Sequence, residues 1–160
     1  MELSTVAPDL AYEIERGKPM PSLNHGVIQH NLSVALDAYR KRYRFATEVS
    51  LRLDGWPSTP DLIILPKEKV DFHRDQIELQ EPPLGVIEII SPSQSVQMLY
   101  DKAVLYFETG VKSVWLVVPT LQLIVVYRSP ETSEQFSSGM LTDHALDIRI
   151  SVDKVFERDE

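Results

Sequence analysis

The chain has 160 residues, of which 43% are hydrophobic and 25% charged, with a formal net charge of −8 and no cysteine. These values are typical of a globular protein, and they exclude wholesale disorder, disulfide bonds and a thiolate metal site. A composition this acidic also argues against a protein that coats nucleic acid nonspecifically, since such a protein needs a broad basic face.

The length and the first residues indicate how the chain is organised. We expect one domain spanning residues 1–160, with residues 1–9 loosely ordered. The opening MELSTVAPDL has neither a basic nor an apolar segment, so it predicts no signal peptide. No apolar run approaches the ~18 residues of a membrane span. Together with the absence of cysteine, these features predict a cytoplasmic protein.

Two local structures are predicted near the N-terminus. Residues 11–20 suit a short hairpin or a helical turn. A long helix is predicted over 24–43, with Asn24 as its N-cap, because apolar residues recur there on one helical face. The residues of that face are Ile28, Leu32, Ala35, Leu36, Tyr39 and Tyr43.

Five apolar segments predict the strands of a sheet. They are residues 45–53, with Val49, Leu51 and Leu53 inward, and residues 61–65, 85–90, 113–118 and 121–128. Segment 85–90 is apolar on both faces, as a central strand is. The charged residues 67–83 predict an excursion at the rim of the sheet, and residues 145–156 predict a last strand and a terminal turn.

A second helix is predicted over 96–109, between two of these strands. The preceding SPSQS at 91–95 caps its start, and Gly110 ends it. The predicted buried stripe is Val96, Leu99, Ala103, Tyr106 and Phe107. Such a strand–helix–strand unit is typical of a right-handed crossover between parallel strands. The predicted fold class is therefore α/β, a mixed central sheet flanked by the two helices on opposite faces.

Two carboxylates lie within the apolar strands. Asp61 opens the segment Asp-Leu-Ile-Ile-Leu, and Glu88 has isoleucine on either side. A buried carboxylate is costly unless a cation or donor meets it, and two of them ~4 Å apart repel by roughly 4 kcal/mol at an effective dielectric near 20. A divalent cation turns that repulsion into a binding site, for which oxygen ligands favour Mg²⁺ or Mn²⁺. Lys102, at the edge of the second helix's stripe, is placed to reach the same cleft.

These residues also have structural explanations. A Pro-Asp pair is common turn chemistry, Glu88 would pair with an arginine, and Lys102 would be a solvated helix lysine. A basic cluster has two explanations as well: it contacts DNA, or it consists of solvated cations at a helix C-terminus. Its members are Arg40, Lys41, Arg42 and Arg44.

The order of the carboxylates and the lysine resembles the PD-(D/E)XK nuclease superfamily. The chain is more closely similar to a family of small restriction-endonuclease-like proteins that is numerous in cyanobacteria and was long known as a domain of unknown function. The similar motifs cover nearly the whole chain. They are YEIERG at 12–17, HG at 25–26, PDLIIL at 60–65, IEIISPS at 87–93, KAVLYFETGVKSVWLVVP at 102–119 and ALDIRISVDKVF at 145–156.

The resemblance implies a restriction-endonuclease-like core and a Mg²⁺- or Mn²⁺-dependent endonuclease that hydrolyses DNA. It makes Asp61 and Glu88 the metal carboxylates, with the Ile89 carbonyl as a third ligand. The superfamily's usual lysine lies two residues after the glutamate, where this chain has Ile90. Lys102, on the helix, would then be the catalytic lysine.

Three further residues are secondary candidates. By the resemblance, Glu13 and His25 would line the cleft as outer ligands or substrate contacts. Glu48, in the strand before Asp61, would supply another carboxylate. Their structural alternatives are a hairpin charge, a helix-start histidine bonded to backbone, and a solvent-facing strand residue.

Two functions remain open from the sequence. The first is the endonuclease, with DNA as partner; a homodimer is one compatible assembly, because cutting both strands usually takes two sites. The second is a catalytically silent relative that serves as a DNA-associated or protein-interaction module. The complete set of Asp61, Glu88 and Lys102 favours the first, while the acidic composition and the lack of a separate DNA-reading module favour the second.

Overall fold

The computed structural model of the protein describes residues 18–158. Glu13, residues 1–9, for which loose order was predicted, and most of the predicted hairpin or turn at 11–20 lie outside the described residues. Within the described part, none of the helices is both long and apolar enough to span a bilayer.

Among the described residues, the first helix is followed by six strands, the second helix by five strands and a short third helix. In order, they are α1 (Leu23–Leu36), β1 (Tyr43–Thr47), β2 (Ser50–Leu53), β3 (Trp56–Ser58), β4 (Leu62–Pro66), β5 (Glu78–Leu79), β6 (Gly85–Ile89), α2 (Val96–Glu108), β7 (Ser113–Val118), β8 (Leu123–Ser129), β9 (Thr132–Phe136), β10 (Met140–Asp143), β11 (Ile148–Ser151) and α3 (Val152–Val155). Two 3₁₀ turns lie at Asp37–Tyr39 and Pro119–Leu121.

The main sheet has the strand order β1-β4-β6-β7-β8-β9. The β6–β7 pair is parallel, and the other strand pairs of this sheet are antiparallel. The sheet is therefore mixed, as predicted. Helix α2 makes the crossover from β6 to β7. Two smaller sheets, β3-β2-β5 and β10-β11, lie beside the main one.

The two helices bury opposite faces of the main sheet. Helix α1 packs through Ile28, Leu32 and Leu36 in a core that includes Ile87 and Trp115. Helix α2 packs on the alternate residues of the same strands, in a core whose buried members include Leu99, Ala103, Tyr106, Val86, Val114 and Leu116. Because side chains alternate along a strand, these are the two faces of one sheet, and the predicted flanking helices are confirmed.

The first helix is shorter than predicted. It ends at Leu36, and its N-cap is Ser22, whose side chain accepts from the backbone N–H of His25, rather than Asn24. Tyr39 lies in the 3₁₀ turn and Tyr43 begins β1, yet both still pack against the core that α1 covers. Their apolar spacing therefore continued the helical pattern after the helix itself had ended.

The predicted strand over 45–53 is two strands in two sheets. Glu48 has a positive φ of 57°, a left-handed conformation that redirects the chain between β1 and β2. Leu51 and Leu53 are buried as predicted. Val96, predicted for the buried stripe of α2, is 51% exposed, because the helix begins there and its first turn faces solvent.

The strands β9 and β10 were not predicted. Strand β9 has the polar sequence TSEQF and is largely exposed, so no apolar pattern indicated it. Strand β10 carries a buried carboxylate, Asp143, which accepts from Ser113 Oγ, from Trp115 Nε1 at 2.8 Å and from the Leu146 N–H at 3.0 Å. These neutral donors satisfy both of its oxygens, so Asp143 fastens β10 to β7.

Candidate active site

Asp61 and Glu88 face each other across two neighbouring strands. Strand β4 runs antiparallel to β6 with Leu62 opposite Ile87, and one more step of that register sets Asp61 opposite Glu88. Such opposite residues share a face of the sheet, with Cβ atoms about 5 Å apart. The two residues are 1% and 3% exposed. The structure thus brings together the two carboxylates that the sequence paired.

Asp61 is held as an anion by three donors. Its Oδ1 accepts from Lys18 Nζ at 2.6 Å and from His25 Nε2 at 2.8 Å, and its Oδ2 accepts from the Ile89 N–H at 2.6 Å. An ionised carboxylate only accepts, so the His25 proton sits on Nε2. Burial works to raise the pKa of Asp61, but the His25 hydrogen bond and the Lys18 charge outweigh it and lower the pKa below 3.8.

Glu88 has weaker support. Its Oε2 accepts from Lys102 Nζ at 3.1 Å and its Oε1 from the Tyr106 hydroxyl at 3.1 Å. Burial raises the pKa of Glu88 above 4.5; the charge of Lys102 works against this rise, and the charge of Asp61 adds to it. The two facing carboxylates therefore have pKa values shifted in opposite directions, an arrangement that is common where catalysis or metal binding occurs.

Lys102 and Tyr106 lie one turn apart on α2 and hold Glu88 from the same side. The Tyr106 hydroxyl has one proton, which it donates to Glu88, so it accepts from Ser58 Oγ at 3.1 Å. Burial and the Glu88 charge raise the pKa of Tyr106 well above 10.0, so the hydroxyl remains a donor. The Lys102 side chain is 25% exposed, so its ammonium bonds Glu88 from a position that water reaches.

Lys18 is the site residue that sequence reasoning missed. Its Nζ lies between Asp61 Oδ1, at 2.6 Å, and Glu48 Oε2, at 2.8 Å, and its side chain is 9% exposed. Burial works to lower the pKa of Lys18, but the charges and hydrogen bonds of Asp61 and Glu48 raise it above 10.5. A single lysine after Gly17 carries no motif, so nothing in the local sequence pointed to this contact.

The secondary candidates that the structure describes also reach the site. The His25 backbone N–H donates to the Ser22 side chain, and its ring bonds to Asp61. The ring therefore contacts a site carboxylate, and its role as an outer ligand or substrate contact stays a prediction. No hydrogen-bond partner is found for its buried Nδ1 within residues 18–158. Glu48 joins the cluster through Lys18, and its N–H donates to the Asp61 carbonyl at 3.3 Å.

These side chains line a small, partly open cavity of about 10 Å³, close to the smallest space that holds one water. Its lining residues are Lys18, Pro19, His25, Asp61, Glu88, Ile89, Ser91 and Gln94. Gln94 accepts from the Ser91 N–H at 3.1 Å and so shapes the turn between β6 and α2. The cavity lies at the C-terminal end of β6, on the face that α2 covers.

The sequence model of the Uma2 family, described as "Putative restriction endonuclease", matches residues 2–152. The chain belongs to this family. The family resemblance deduced from the motifs is thereby confirmed. No match is found among the curated proteins.

A solved structure has the same fold. It is a protein of Anabaena variabilis described as a "putative nuclease belonging to DUF820", which is 21% identical to this chain with a TM-score of 0.72. The match covers 87% of this chain and 83% of that one. At this identity the likeness establishes the fold alone, which is the predicted restriction-endonuclease-like α/β core.

The carboxylate oxygens of Asp61 and Glu88 are the type of ligand that small divalent cations prefer. Within residues 18–158, no group of three or more His, Asp and Glu side chains is arranged to hold a metal. Mg²⁺ commonly uses one or two carboxylates and keeps several waters, and Asp61 and Glu88 supply such a pair. In a strand, the N–H and C=O of one residue point towards the same neighbouring strand. Because the Ile89 N–H points towards Asp61, the Ile89 carbonyl lies on the side of the carboxylates and is suited to be a third ligand.

The basic cluster lies away from the carboxylates. Arg42 stacks on Tyr39 and Tyr43, 5.3 and 5.0 Å from their ring centroids, and donates to the carbonyls of Leu146 and Asp147. Arg42 therefore ties β1 to the turn before β11.

Arg40 and Arg44, with Lys67, line an open groove of about 380 Å³ beside β1. Arg44 pairs with Leu65, four residues along β4 from Asp61, or about 13 Å at strand spacing. Lys41 is exposed. The structure does not bring this cluster into the carboxylate site, and DNA contact by it stays a prediction.

Proposed function

We propose that this chain is a nuclease that hydrolyses phosphodiester bonds of DNA with Mg²⁺ or Mn²⁺. The observation that supports it most is the facing pair Asp61 and Glu88, buried on one side of adjacent strands, with a lysine on an oxygen of each. Burying two carboxylates together opposes folding unless cations compensate. A metal ion bound between the two carboxylates would offset the free-energy cost of burying them together.

The chain's own residues divide the work. Asp61, Glu88 and the Ile89 carbonyl would hold the cation, which when bound supplies Lewis-acid polarisation of a phosphoryl oxygen and acidifies the attacking water. His25 keeps Asp61 ionised and fixes its orientation. Lys102, partly exposed beside Glu88, would donate to the phosphate as negative charge develops on it.

DNA would reach the site from the open side of the cleft. The groove lined by Arg40, Arg44 and Lys67 offers cations, of which Arg44 pairs with a residue about 13 Å from Asp61 along β4. Cations at such a distance can hold backbone phosphates while the carboxylates act on another phosphate. Since the chain has a net charge of −8, we expect DNA binding to depend on this local groove rather than on the whole surface.

Replacing Lys102 by methionine tests the division of roles. We expect turnover on supercoiled, linear or branched DNA with Mn²⁺ to fall by about 10²-fold. We expect Mn²⁺ affinity to change by less than about threefold, because the Lys102 side chain is 25% exposed and water screens its charge at Glu88. The measurements are a cleavage time course and a Mn²⁺ titration. Lys112→Met, at an exposed lysine, is the matched control.

A silent relative remains the second candidate, favoured by the small cavity that Lys18 closes. Wild-type protein that binds DNA but cleaves none of the three substrates with Mg²⁺ or Mn²⁺ would establish this alternative. Equal cleavage by wild type and Lys102→Met would instead support the nuclease proposal and show that Lys102 has a structural and not a catalytic role.

A further inference from the structure

We propose that Lys18 is a built-in competitor of the metal, whose ammonium takes the place of the cation at Asp61 and must leave that carboxylate before an ion binds. The inference rests on the proposed function, because it deepens how the same site is loaded. Lys18 is not one of the three residues, Asp61, Glu88 and Lys102, from which the sequence indicated a nuclease.

Charge and distance support this role. The Lys18 Nζ touches Asp61 Oδ1 at 2.6 Å and Glu48 Oε2 at 2.8 Å, which are the contacts of a cation bound between two carboxylates. The ammonium is well shielded from water, with 9% of the side chain exposed. Its attraction for Asp61 is therefore only weakly screened, and the same carboxylate would be a ligand of the metal.

The available space supports displacement rather than coexistence. The cavity at Asp61 and Glu88 measures about 10 Å³, and Lys18 forms part of its wall. A magnesium ion with its remaining waters needs more room than one water molecule occupies. A divalent ion and an ammonium on the same carboxylate would also repel each other twice as strongly as two single charges.

The position of Lys18 in the fold allows it to move. The residue lies in the irregular segment before α1, so its side chain can shift without breaking a helix or a strand. Glu48 holds the same ammonium through a second contact of 2.8 Å, and its side chain is 29% exposed, against 2% for Asp61. The ammonium can therefore leave Asp61 and remain beside Glu48.

Mn²⁺ titration of the protein without DNA tests this inference. Lys18→Met has a side chain of similar length and no charge. We expect it to bind Mn²⁺ about tenfold more tightly than wild type, a factor within the usual range for two binding events that oppose each other. Lys18→Arg keeps the charge and should stay within about threefold of wild type by the same measure. Lys18→Gln is the second neutral variant, used if Lys18→Met does not fold.

The controls separate this inference from the proposed function. Lys112→Met should bind Mn²⁺ as wild type does. Unchanged or weaker binding by the neutral Lys18 variants, with wild type still binding, would overturn the competitor role and leave the nuclease proposal standing. Absence of Mn²⁺ binding to wild type and to every Lys18 variant would overturn both.

Discussion

Asp61→Ala and Glu88→Ala are each expected to lower metal-dependent DNA cleavage by at least about 10³-fold, equivalent to about 4 kcal/mol in the barrier. Each change removes one of the two side-chain ligands that the facing strands provide, so the cation is no longer held. The measurement is initial cleavage rate against Mn²⁺ concentration. Because the carboxylates bind the metal, excess Mn²⁺ should restore part of the rate.

Glu134→Ala serves as the control for these two variants. Glu134 lies on β9, at the other edge of the main sheet from β1, with its side chain 49% exposed. Its loss should leave cleavage unchanged. Wild-type cleavage with wild-type Mn²⁺ dependence in Asp61→Ala would show that the facing carboxylates do not assemble the site.

The metal-free protein should respond in opposite ways to two isosteric substitutions. Asp61→Asn is expected to cost about 3 kcal/mol of unfolding free energy. It removes the buried anion of the Lys18–Asp61 pair and leaves the buried ammonium facing the more exposed Glu48. Glu88→Gln is expected to raise stability at neutral pH, because the raised pKa of Glu88 means that folding disfavours its charged form. The measurement is denaturant unfolding in EDTA.

The pH dependence of these differences follows from the two pKa shifts. The lowered pKa of Asp61 gives stability that is complete above 3.8 and is lost as the pH falls through the folded-state value. The raised pKa of Glu88 gives a penalty that is absent below 4.5 and grows as the pH rises through the folded-state value. The advantage of Glu88→Gln over wild type should therefore appear only on the alkaline side of 4.5.

An equal loss of stability in both variants would contradict this account. It would mean that Lys102 and Tyr106 compensate Glu88 as fully as Lys18 and His25 compensate Asp61. Saturating Mn²⁺ should stabilise wild type by mass action and stabilise Asp61→Asn much less.

The sequence predicted the parts of the fold that local patterns determine. The apolar run of β6, the helical spacing of α2 and the stop at Gly110 together predict a crossover, and the structure has β6 and β7 parallel with α2 between them. The end of α1 was wrong because Tyr39 and Tyr43 continue the helical apolar spacing from a turn and a strand. The break at Glu48 was missed because a left-handed residue leaves no mark in an alternating pattern.

The candidate site was predictable only in part, because sequence patterns report local structure and not contacts between distant residues. Asp61 and Glu88 stood out because a carboxylate inside an apolar strand is costly, a property of the local sequence. Lys18 is 43 positions from Asp61 in the sequence. The cation that compensates the buried charge of Asp61 can therefore be identified only in the folded structure. The opposite pKa shifts of the two carboxylates could not be predicted, since they depend on which donors reach each one.

A crystal structure of wild-type protein soaked with Mn²⁺ tests the central claim most directly, through the anomalous signal of the metal. We expect one strong peak between the Asp61 and Glu88 carboxylates, within ligand distance of both and of the Ile89 carbonyl. Well-ordered Asp61 and Glu88 side chains with no peak between them, or a peak only elsewhere on the protein, would contradict the assignment of this site as a metal centre.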